Sequence, residues 1–459
     1  MAVPKKCLKR TKFGMDALTL YFSAEYNDYE KQDKKNKIRN GTMKVIKRDS
    51  YVNKLIARRE NGAIKVITGI RRSGKSFLLF NLYYDYLISQ GVEEDQIIRI
   101  PLDDDDYEEL RDRKNLRNYI RERIPEGRIC YLMLDEIQLV DGFEGVLNGL
   151  ARDRNLDIYV TGSNSKFLST DIITEFRGRG DEVRIYPLTF SEYLDAYDGD
   201  EISAWNEYVT YGGLPMVATL KTDEQKANYL KTLFEKVYIS DVVERNHIND
   251  ADVLDKLIAI LASAVGSLTN PLRLANTFNS NGYGRVTDKT IHSYLKYLQD
   301  AFLVVKADRY DVKGKKYIST PSKYYFTDIG LRNVYLNFRQ QEENHLMENI
   351  IFNELLVRGY NVDVGVVEYS VTENGKQEKK KAEVDFVCNR GSERYYIQSA
   401  FAIPDSDKMN QEQASLVHIG DNFRKIIVVK DDIKLWRNEE GVTIMGIKEF
   451  LTDKDSLKL

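Results

Sequence analysis

The stretch VITGIRRSGKSFLLFNLYYDYL, residues 66–87, decides the fold of the first half of the chain. Apolar and β-branched residues run into a loop of the form GxxxxGK[ST], and apolar residues then recur at helical spacing. Such a loop suits phosphate, because small residues let backbone N–H groups face the phosphate oxygens and the following helix adds its positive N-terminal end. A glycine-containing loop without a ligand is the alternative, and the flanking strand and helix favour the phosphate site.

The loop predicts a site for ATP and magnesium. Lys75 would reach the β- and γ-phosphate oxygens, and Ser76 would ligate Mg²⁺. The residues that we expect to contact the nucleotide are Gly69, Ile70, Arg71, Arg72, Ser73, Gly74, Lys75, Ser76 and Phe77.

A buried strand that ends in two acids should follow if the chain hydrolyses ATP. The segment CYLMLDEIQ, residues 130–138, has this form, and its apolar run is typical of a central parallel strand. We expect Asp135 to hold Mg²⁺ and Glu136 to act as general base for the attacking water. Alone, this motif is weak evidence for ATP hydrolysis. Its position downstream of the glycine-rich loop makes it strong evidence.

Two further segments supply candidates for sensing the γ-phosphate. The next strand, LDIYVTGSNSKF, ends in a polar turn, so Ser163 or Asn164 is a candidate sensor of phosphate state, with an ordinary turn as the alternative. Arg177 and Arg179 lie in a glycine-broken loop and could reach the γ-phosphate of a neighbouring subunit. Solvated surface arginine is the alternative interpretation.

Composition excludes several classes of protein. At 459 residues the chain is too long for one hydrophobic core. Three cysteines without paired spacing and four histidines argue against a disulfide scaffold and a zinc site, which fits a reducing cytoplasm. No apolar run approaches the roughly 18 residues of a membrane span. The net charge of −3 requires any nucleic-acid binding to come from a local patch.

The first 44 residues differ from the rest. They are basic with a short interrupted apolar stretch, and residues 28–41 (DYEKQDKKNKIRNG) are typical of a solvated linker. We expect folded structure to begin near Met43. A dispensable tail, arising from the choice of start codon, is one interpretation of residues 1–42, and a native segment is the other.

The order of the segments GIRRSGKS, LMLDEIQ, YVTGSNSKFLS, FRGR and IYPLTFSEYL resembles the AAA-type ATPase core of a large prokaryotic family of ATP-binding proteins. Later segments match too: YGGLP (211–215), YISDVVERNHI (238–248), KYYFTDIGLRN (323–333), EVDFV (383–387) and YYIQSA (395–400). The resemblance runs from residue 43 almost to the end. It implies that a helical segment, a winged-helix-like region and a restriction-endonuclease-like domain of unknown function follow the core.

Helical signals followed by a hairpin pattern predict the winged-helix region. Asn270 and Pro271 read as an N-cap and a first helical residue, a second helix starts behind Thr287 or Asp288, and two strands follow around a glycine-centred turn. If the region binds DNA, the helix would present Lys289, His292 and Lys296 to the major groove, and the hairpin would contact phosphates through Arg309, Lys313, Lys315 and Lys316. A lid or a protein contact is the alternative.

The C-terminal segment has part of a metal-dependent nuclease site. Such a site uses carboxylates to bind Mg²⁺ and a lysine to stabilise developing charge. Glu348, which we expect near the exposed start of a helix, and Asp385 fit, but the expected (D/E)xK reads Gln398, Ser399 and Ala400. A lysine from the turn at 379–381 is a candidate replacement. We therefore expect a degenerate nuclease fold that is retained for binding rather than for cleavage.

The chain is thus predicted to be an α/β protein with an AAA-type P-loop NTPase core. We expect a tail over 1–44, the parallel-sheet ATPase core over 45–200, a helical connector over 201–250, a winged-helix-like region over 251–340 and a PD-(D/E)xK-like α/β domain over 341–459. The predicted function is Mg²⁺-dependent ATP hydrolysis coupled to conformational change, with DNA and further copies of the chain as partners. The alternatives are an ATP-dependent switch that binds a protein, and an ATP-regulated nuclease.

Overall fold

Five parallel strands form the sheet that carries the glycine-rich loop. The computed structural model describes residues 45–162, 176, 178–283, 285–339, 342–373 and 376–458, without the side chains of 371–373 and 376. The strands stand in the order β2-β3-β4-β1-β5. Their bounds are Ile64–Thr68 (β1), Ile97–Pro101 (β2), Cys130–Asp135 (β3), Leu156–Thr161 (β4) and Gly180–Arg184 (β5).

Helices cover both faces of this sheet. Those of the first half are Asp49–Ile56 (α1), 75–89 (α2, π-helical over Leu78–Tyr83), Arg113–Arg121 (α3) and Phe143–Leu150 (α4), with 3₁₀ segments at Glu94–Gln96, Asp105–Arg111 and Ile137–Leu139. Helices α1 and α2 pack on one face and α3 and α4 on the other. Because both faces are covered, β1, β3 and β4 are buried at every position, which explains the apolar run of β3. The charged residues of the other two strands, Lys65 in β1 and Asp157 in β4, form a buried ion pair.

Helices dominate the chain from residue 190 to residue 300. They are Phe190–Ala196 (α5), Glu201–Tyr211 (α6), Pro215–Thr219 (α7), 223–245 (α8, π-helical over Phe234–Ile239), Ala251–Ser263 (α9), Pro271–Ser280 (α10) and Asp288–Asp300 (α11). The predicted caps are confirmed: the side chain of Asn270 accepts from the Arg273 N–H, and that of Thr287 accepts from the Thr290 N–H.

A second, mixed sheet of eight strands holds the rest of the chain. Its strands are Val304–Asp311 (β6), Lys316–Phe326 (β7), Asn361–Glu373 (β8), Lys376–Arg390 (β9), Glu393–Ala400 (β10), Arg424–Val429 (β11), Trp436–Arg437 (β12) and Thr443–Gly446 (β13), in the order β12-β13-β11-β10-β9-β8-β6-β7. The accompanying helices are Ile329–Tyr335 (α12), Glu343–Val357 (α13), Ser406–Val417 (α14) and Ile447–Thr452 (α15), with a final 3₁₀ turn at Ser456–Lys458.

This sheet crosses the boundary that we predicted at residue 340. The hairpin β6–β7 was expected to belong to a separate region, but β6 pairs in parallel with β8, with Arg309 opposite Val364. Backbone hydrogen bonds therefore join the hairpin to the C-terminal segment. Residues from Ile46 to the end form one compact unit.

Two local expectations for the C-terminal segment are wrong. The lysine-rich residues 379–381 lie in strand β9 rather than in a turn, because they pair with residues 368–370 of β8. Lys381 and the oppositely charged Glu368 form an ion pair across the two strands. Glu348 is buried rather than exposed, because its face of α13 packs against the sheet.

In the part of the chain that the structure describes, no helix has the length and apolar character required to cross a membrane.

Candidate functional site

The glycine-rich loop joins β1 to α2 at the carboxyl edge of the parallel sheet. Lys75 begins the helix, is 5% exposed, and its Nζ donates to the carbonyl oxygens of Gly69 and Ile70 at 3.1 Å each. Burial lowers the pKa of Lys75 to about 8, while the charges of Glu136 and Asp135 act in the opposite direction. The ammonium is thus held inside the loop, bonded to the loop's own carbonyls.

Two glycines of the loop are required by its backbone. Gly69 has φ of +140°, and a Cβ built there would lie 2.1 Å from the carbonyl oxygen of Ile185. Gly74 precedes the helix in a left-handed conformation with φ of +92°. Its nearest neighbour for an added Cβ is Pro215 Cγ at 3.7 Å, so the start of α7 lies against the loop.

The other predicted loop residues divide by burial. Ser73 is buried, and its Oγ has no hydrogen-bond partner among the described residues. Arg72, Ser76 and Phe77 are exposed, and Arg72 has a positive φ of 63°. An unpartnered buried hydroxyl together with exposed side chains at the helix start fits a loop whose ligand is a phosphate group.

Asp135 ends strand β3 next to the loop. It is buried, and its carboxylate accepts hydrogen bonds from the hydroxyls of Thr161 and Ser76. Burial raises the pKa of Asp135 to about 6, and the charge of Glu136 adds to the rise. The two predicted magnesium ligands, Ser76 and Asp135, are therefore in direct contact.

Glu136 follows in a left-handed conformation, with φ of 49°. Its N–H donates to Thr161 Oγ1 at 3.1 Å, and Gln138 donates to its carboxylate. Positive φ is uncommon in residues other than glycine and is often kept where function requires it. Glu136 thus follows β3 at the same edge of the sheet as Lys75, and its charge acts on the pKa of that lysine.

Sequence reasoning missed three residues at this edge. Thr161 bridges Asp135 and the Glu136 N–H, whereas the sequence predicted this role for residues 163 and 164. The buried Arg48 donates to the carbonyl oxygens of Ser73 at 3.2 Å and Tyr186 at 2.8 Å, which ties the loop to the end of the sheet. Asp103 follows β2 at this edge, and burial followed by the Glu136 charge raises its pKa. The acidic run at 103–106 is the signal that could have identified Asp103.

Helix α8 also contacts the glycine-rich loop. The hydroxyl of Tyr238 donates to the carbonyl oxygen of Arg71 at 2.7 Å. The carboxylate of Asp241 pairs with Arg71 and with Arg245, each at 3.0 Å. The segment YISDVVERNHI therefore contacts the glycine-rich loop, which no local pattern in the sequence indicated.

Of the four predicted γ-phosphate sensors, Arg179 alone lies within the described residues. Ser163, Asn164 and Arg177 lie outside the described residues. Arg179 is exposed, and its carbonyl oxygen accepts from the N–H of Ile64, the first residue of β1. Since β1 runs away from that point towards the loop, Arg179 lies at the opposite edge of the sheet from Lys75.

The predicted nuclease remnant forms a separate cluster in the second sheet. Glu348 and Asp385 both contact the ammonium of Lys323, at 2.8 and 3.4 Å. The side-chain oxygen of Gln398 accepts from the Asp385 N–H at 3.3 Å. Lys381, a candidate replacement lysine, pairs with Glu368 instead. The lysine at this cluster comes from strand β7, not from β9 or β10.

The residues expected to face DNA are largely on the surface. Three of them lie along one face of α11 and are exposed: Lys289, His292 and Lys296. Three more are exposed at the β6–β7 turn: Lys313, Lys315 and Lys316. Arg309 differs, because it is half-buried within β6.

Two family models match consecutive parts of the chain. Residues 61–194 match the family model of an AAA domain, and residues 202–342 match a domain of unknown function, DUF8612. The chain is 36% identical over 390 residues to an uncharacterized protein of Haemophilus influenzae, which covers 84% of this chain and 93% of that protein. It is 29% identical over 392 residues to the uncharacterized protein MJ1544 of Methanocaldococcus jannaschii, covering 81% of each.

Similar solved structures are more distant. The ORC1 protein of Aeropyrum pernix in complex with DNA is 13% identical, with coverage of 64% of this chain and 94% of that chain and a TM-score of 0.27. A DNA polymerase III gamma subunit-related protein of Thermotoga maritima is 10% identical, with coverage of 55% and 98% and a TM-score of 0.26. The glycine-rich loop, the parallel sheet and the matched AAA domain agree with one another. The chain therefore belongs to the family of the Haemophilus influenzae protein, and its residues 61–194 form an AAA-type P-loop domain.

Proposed function

We propose that the protein binds and hydrolyses ATP with Mg²⁺, and that the state of the nucleotide changes the contacts of residues 202–342. The observation that carries the proposal is the meeting of Lys75, Ser76, Asp135 and Glu136 at one edge of the parallel sheet. Residues 69–77 would hold the phosphates. Ser76 and Asp135 would hold Mg²⁺, which when bound neutralises charge on the phosphate oxygens.

The residues of the chain have distinct tasks in this proposal. Lys75 exchanges its bonds to the carbonyls of Gly69 and Ile70 for bonds to phosphate, whose negative charge stabilises the ammonium that burial disfavours. Glu136 orients a water molecule and accepts its proton. Thr161 holds the backbone of Glu136 and the carboxylate of Asp135 at a fixed separation.

Coupling to the rest of the chain is supported by helix α8. Arg71 belongs to the loop, whereas Asp241 and Arg245 belong to the DUF8612 segment. A triphosphate bound beside Arg71 competes with Asp241 for the guanidinium. Nucleotide binding therefore weakens one tie between the loop and α8, and product release restores it.

Binding and turnover of ATP test this proposal. Wild-type protein is expected to show a heat of association with ATP and Mg²⁺ and to release phosphate. Lys75→Ala should weaken binding at least about tenfold, since it removes a charged contact to phosphate. Lys114→Ala, on the surface of α3, is the matched control. Absence of any heat of association on folded wild-type protein would refute the proposal.

We also propose that residues 251–326 act as a winged helix that contacts DNA. Helices α9, α10 and α11 followed by the hairpin β6–β7 have the order of that motif, and a bridge between Thr269 and Ser322 joins the turn before α10 to β7. The exposed lysines of α11 and of the hairpin turn support a phosphate-binding face. ATP turnover that rises with double-stranded DNA, and falls back at high salt, is the expected result.

We likewise propose a domain division at 200 and 250 and a restriction-endonuclease-like C-terminal part. The mixed sheet with α13 against it supports the latter. The pairing of β6 with β8 joins the hairpin before residue 340 to that C-terminal part. Arg179 could serve only another copy of the chain, so we propose an oligomer in which it approaches a neighbouring nucleotide. Turnover that depends on protein concentration, and loses that dependence in Arg179→Ala, tests the oligomer.

A second candidate function is an ATP-dependent switch that binds another protein. The ion pairs of Asp241 with Arg71 and Arg245 favour this function. A switch needs a contact that changes with nucleotide state, and it needs no fast turnover. Slow hydrolysis that DNA does not change would favour the switch over the DNA-dependent ATPase.

A further inference from the structure

The cluster around Asp385 contains a lysine that no motif predicted there. Lys323 comes from β7, and its ammonium lies 2.8 Å from Glu348, 2.9 Å from Glu383 and 3.4 Å from Asp385. Its side chain is 4% exposed, while the side chains of Glu348 and Asp385 are about one-tenth exposed, at 11% and 10%. A single buried cation is thus shared by three carboxylates from α13 and β9.

Several carboxylate oxygens of the cluster already have donors. Glu348 Oε1 accepts from Lys323 and from the Tyr325 hydroxyl at 2.6 Å. Asp385 Oδ1 accepts from Lys323, and Asp385 Oδ2 accepts from the Ser399 N–H at 2.9 Å. Burial lowers the pKa of Lys323, but the charges of Glu348, Asp385 and Glu383 outweigh burial and raise the pKa above its ordinary value. Lys323 is therefore a charged ammonium here.

A divalent metal does not fit these residues as they stand. Mg²⁺ requires oxygen ligands at about 2.0–2.1 Å in an octahedral arrangement and keeps several of its waters. A Cβ added to Gly266 would be 3.1 Å from both Glu348 carboxylate oxygens, so the chain after α9 covers that side. Gln398 directs its oxygen to the Asp385 N–H. Among the residues described, no group of three or more His, Cys, Asp or Glu side chains is arranged to hold a metal ion.

We propose that the Lys323 ammonium is the resident cation of this carboxylate cluster and takes the place of a divalent metal. The cluster then joins β7 of the hairpin to α13 and β9, and it does not support metal-dependent cleavage of nucleic acid. Removing the ammonium leaves three carboxylates around a vacant cation position, and such an arrangement should attract a divalent ion. The lysine thus supplies the positive charge that a metal ion would bring to these carboxylates.

Counting bound Mn²⁺ by electron paramagnetic resonance, without nucleotide, tests this inference. Wild type and Asp385→Asn should bind equal numbers of Mn²⁺, since the cluster holds none. Lys323→Met keeps the length of the side chain without its charge, and it should bind one Mn²⁺ more than wild type. The double variant Lys323→Met/Asp385→Asn should lose that ion. Any ion held by the Asp135 site is common to all four proteins and cancels in the comparison.

Thermal unfolding provides a second readout. Lys323→Met should melt below wild type in EDTA, and Mn²⁺ should raise its midpoint by at least about 2 °C, whereas the double variant should not respond. If Lys323→Met folds only with Mn²⁺, the same conclusion follows.

Two outcomes would overturn the inference. One is a wild-type protein that binds one Mn²⁺ more than Asp385→Asn. The other is a folded Lys323→Met that gains no ion. If Lys323→Met does not fold at all, the comparison of wild type with Asp385→Asn decides alone. Because nucleotide is absent, no outcome bears on the proposed ATPase.

Discussion

The carboxylate of Asp241 lies 3.0 Å from the guanidinium of Arg71, so a residue of α8 is ion-paired with the glycine-rich loop. The same carboxylate pairs with Arg245 at 3.0 Å. One negative charge therefore serves two arginines beside the proposed triphosphate site. Both arginines are partly exposed, with 37% and 29% of their side-chain surface accessible, so water weakens each pair.

Asp241→Asn should strengthen ATP binding. The substitution removes one negative charge near the phosphates and releases Arg71 and Arg245 from a competing carboxylate. At partial exposure we expect a gain of about 1 kcal/mol, which is roughly fivefold in Kd. Calorimetric titration with ATP and Mg²⁺ measures it. Asp252→Asn, which breaks the exposed Lys256 pair of α9, is the control and should leave Kd unchanged. Weaker binding by Asp241→Asn would contradict the competition.

Glu136→Gln should separate binding from turnover. The amide keeps the size of the side chain and loses the basic oxygen, so ATP affinity should stay within about twofold while phosphate release slows by a factor of about 100 or more. Single-turnover assays with saturating ATP measure this effect. Asp103→Asn removes a nearby carboxylate without removing the proposed base and should slow turnover much less. Wild-type turnover by Glu136→Gln would show that another group accepts the proton.

Gly69→Ala should destabilise the loop far more than an alanine at another left-handed glycine. Its Cβ would meet the Ile185 carbonyl oxygen at 2.1 Å, and backbone cannot move aside cheaply. We expect a loss of about 2–4 kcal/mol in the free energy of unfolding. Gly62 has φ of +75° and open space around it, so Gly62→Ala should cost only about 1 kcal/mol. Equal losses in urea unfolding would argue against the close contact.

Asp363 should make stability depend on pH. Burial raises the pKa of Asp363 to about 6, and the Tyr317 hydroxyl donates to it at 3.2 Å. The unfolded chain has an ordinary aspartate pKa near about 3.9. Between about pH 4 and pH 6 the folded protein retains a proton that the unfolded chain loses, so the stability contributed by this group falls as pH rises.

Asp363→Asn imitates the protonated carboxyl at every pH. It should match wild type near pH 4.5 and exceed the wild-type free energy of unfolding by about 1 kcal/mol at pH 7.5. Urea titrations at both values measure the difference, with the surface substitution Asp407→Asn as control. A variant that is less stable than wild type at pH 7.5 would refute the buried-carboxyl explanation.

Lysines of α11 should control the salt dependence of DNA binding. Lys289→Gln and Lys296→Gln each remove one exposed cation. Each should reduce the slope of log K against log salt concentration by about 1 and weaken binding to all sequences alike. Fluorescence anisotropy with a labelled duplex, at several salt concentrations, measures the slope. Lys434→Gln, at an exposed lysine between β11 and β12, is the control. Slopes that do not change would remove α11 from the interface.

Much of the local structure could be predicted from the sequence. The strand, loop and helix around residues 66–87, the acidic end of β3 and the caps at Asn270 and Thr287 depend on contacts within a few residues. Hydrophobic periodicity, glycine positions and capping side chains encode such contacts directly. The AAA-type domain could be recognised for the same reason.

Contacts between residues that are far apart in the sequence could not be predicted in this way. Arg48 holds the loop through Ser73, and Asp241 reaches Arg71. The sequence motif places the expected nuclease lysine near Gln398, but the lysine of the cluster is Lys323 of β7, because α13, β7 and β9 pack together around it.

The sequence by itself thus determined the local conformation and the type of chemistry available at the glycine-rich loop. Only the tertiary structure decided which charges meet, because strand order does not follow chain order. Strand β1 lies between β4 and β5, and β6 lies beside β8. A side chain's neighbours depend on that order, whereas periodicity records only which face of its own element the side chain occupies.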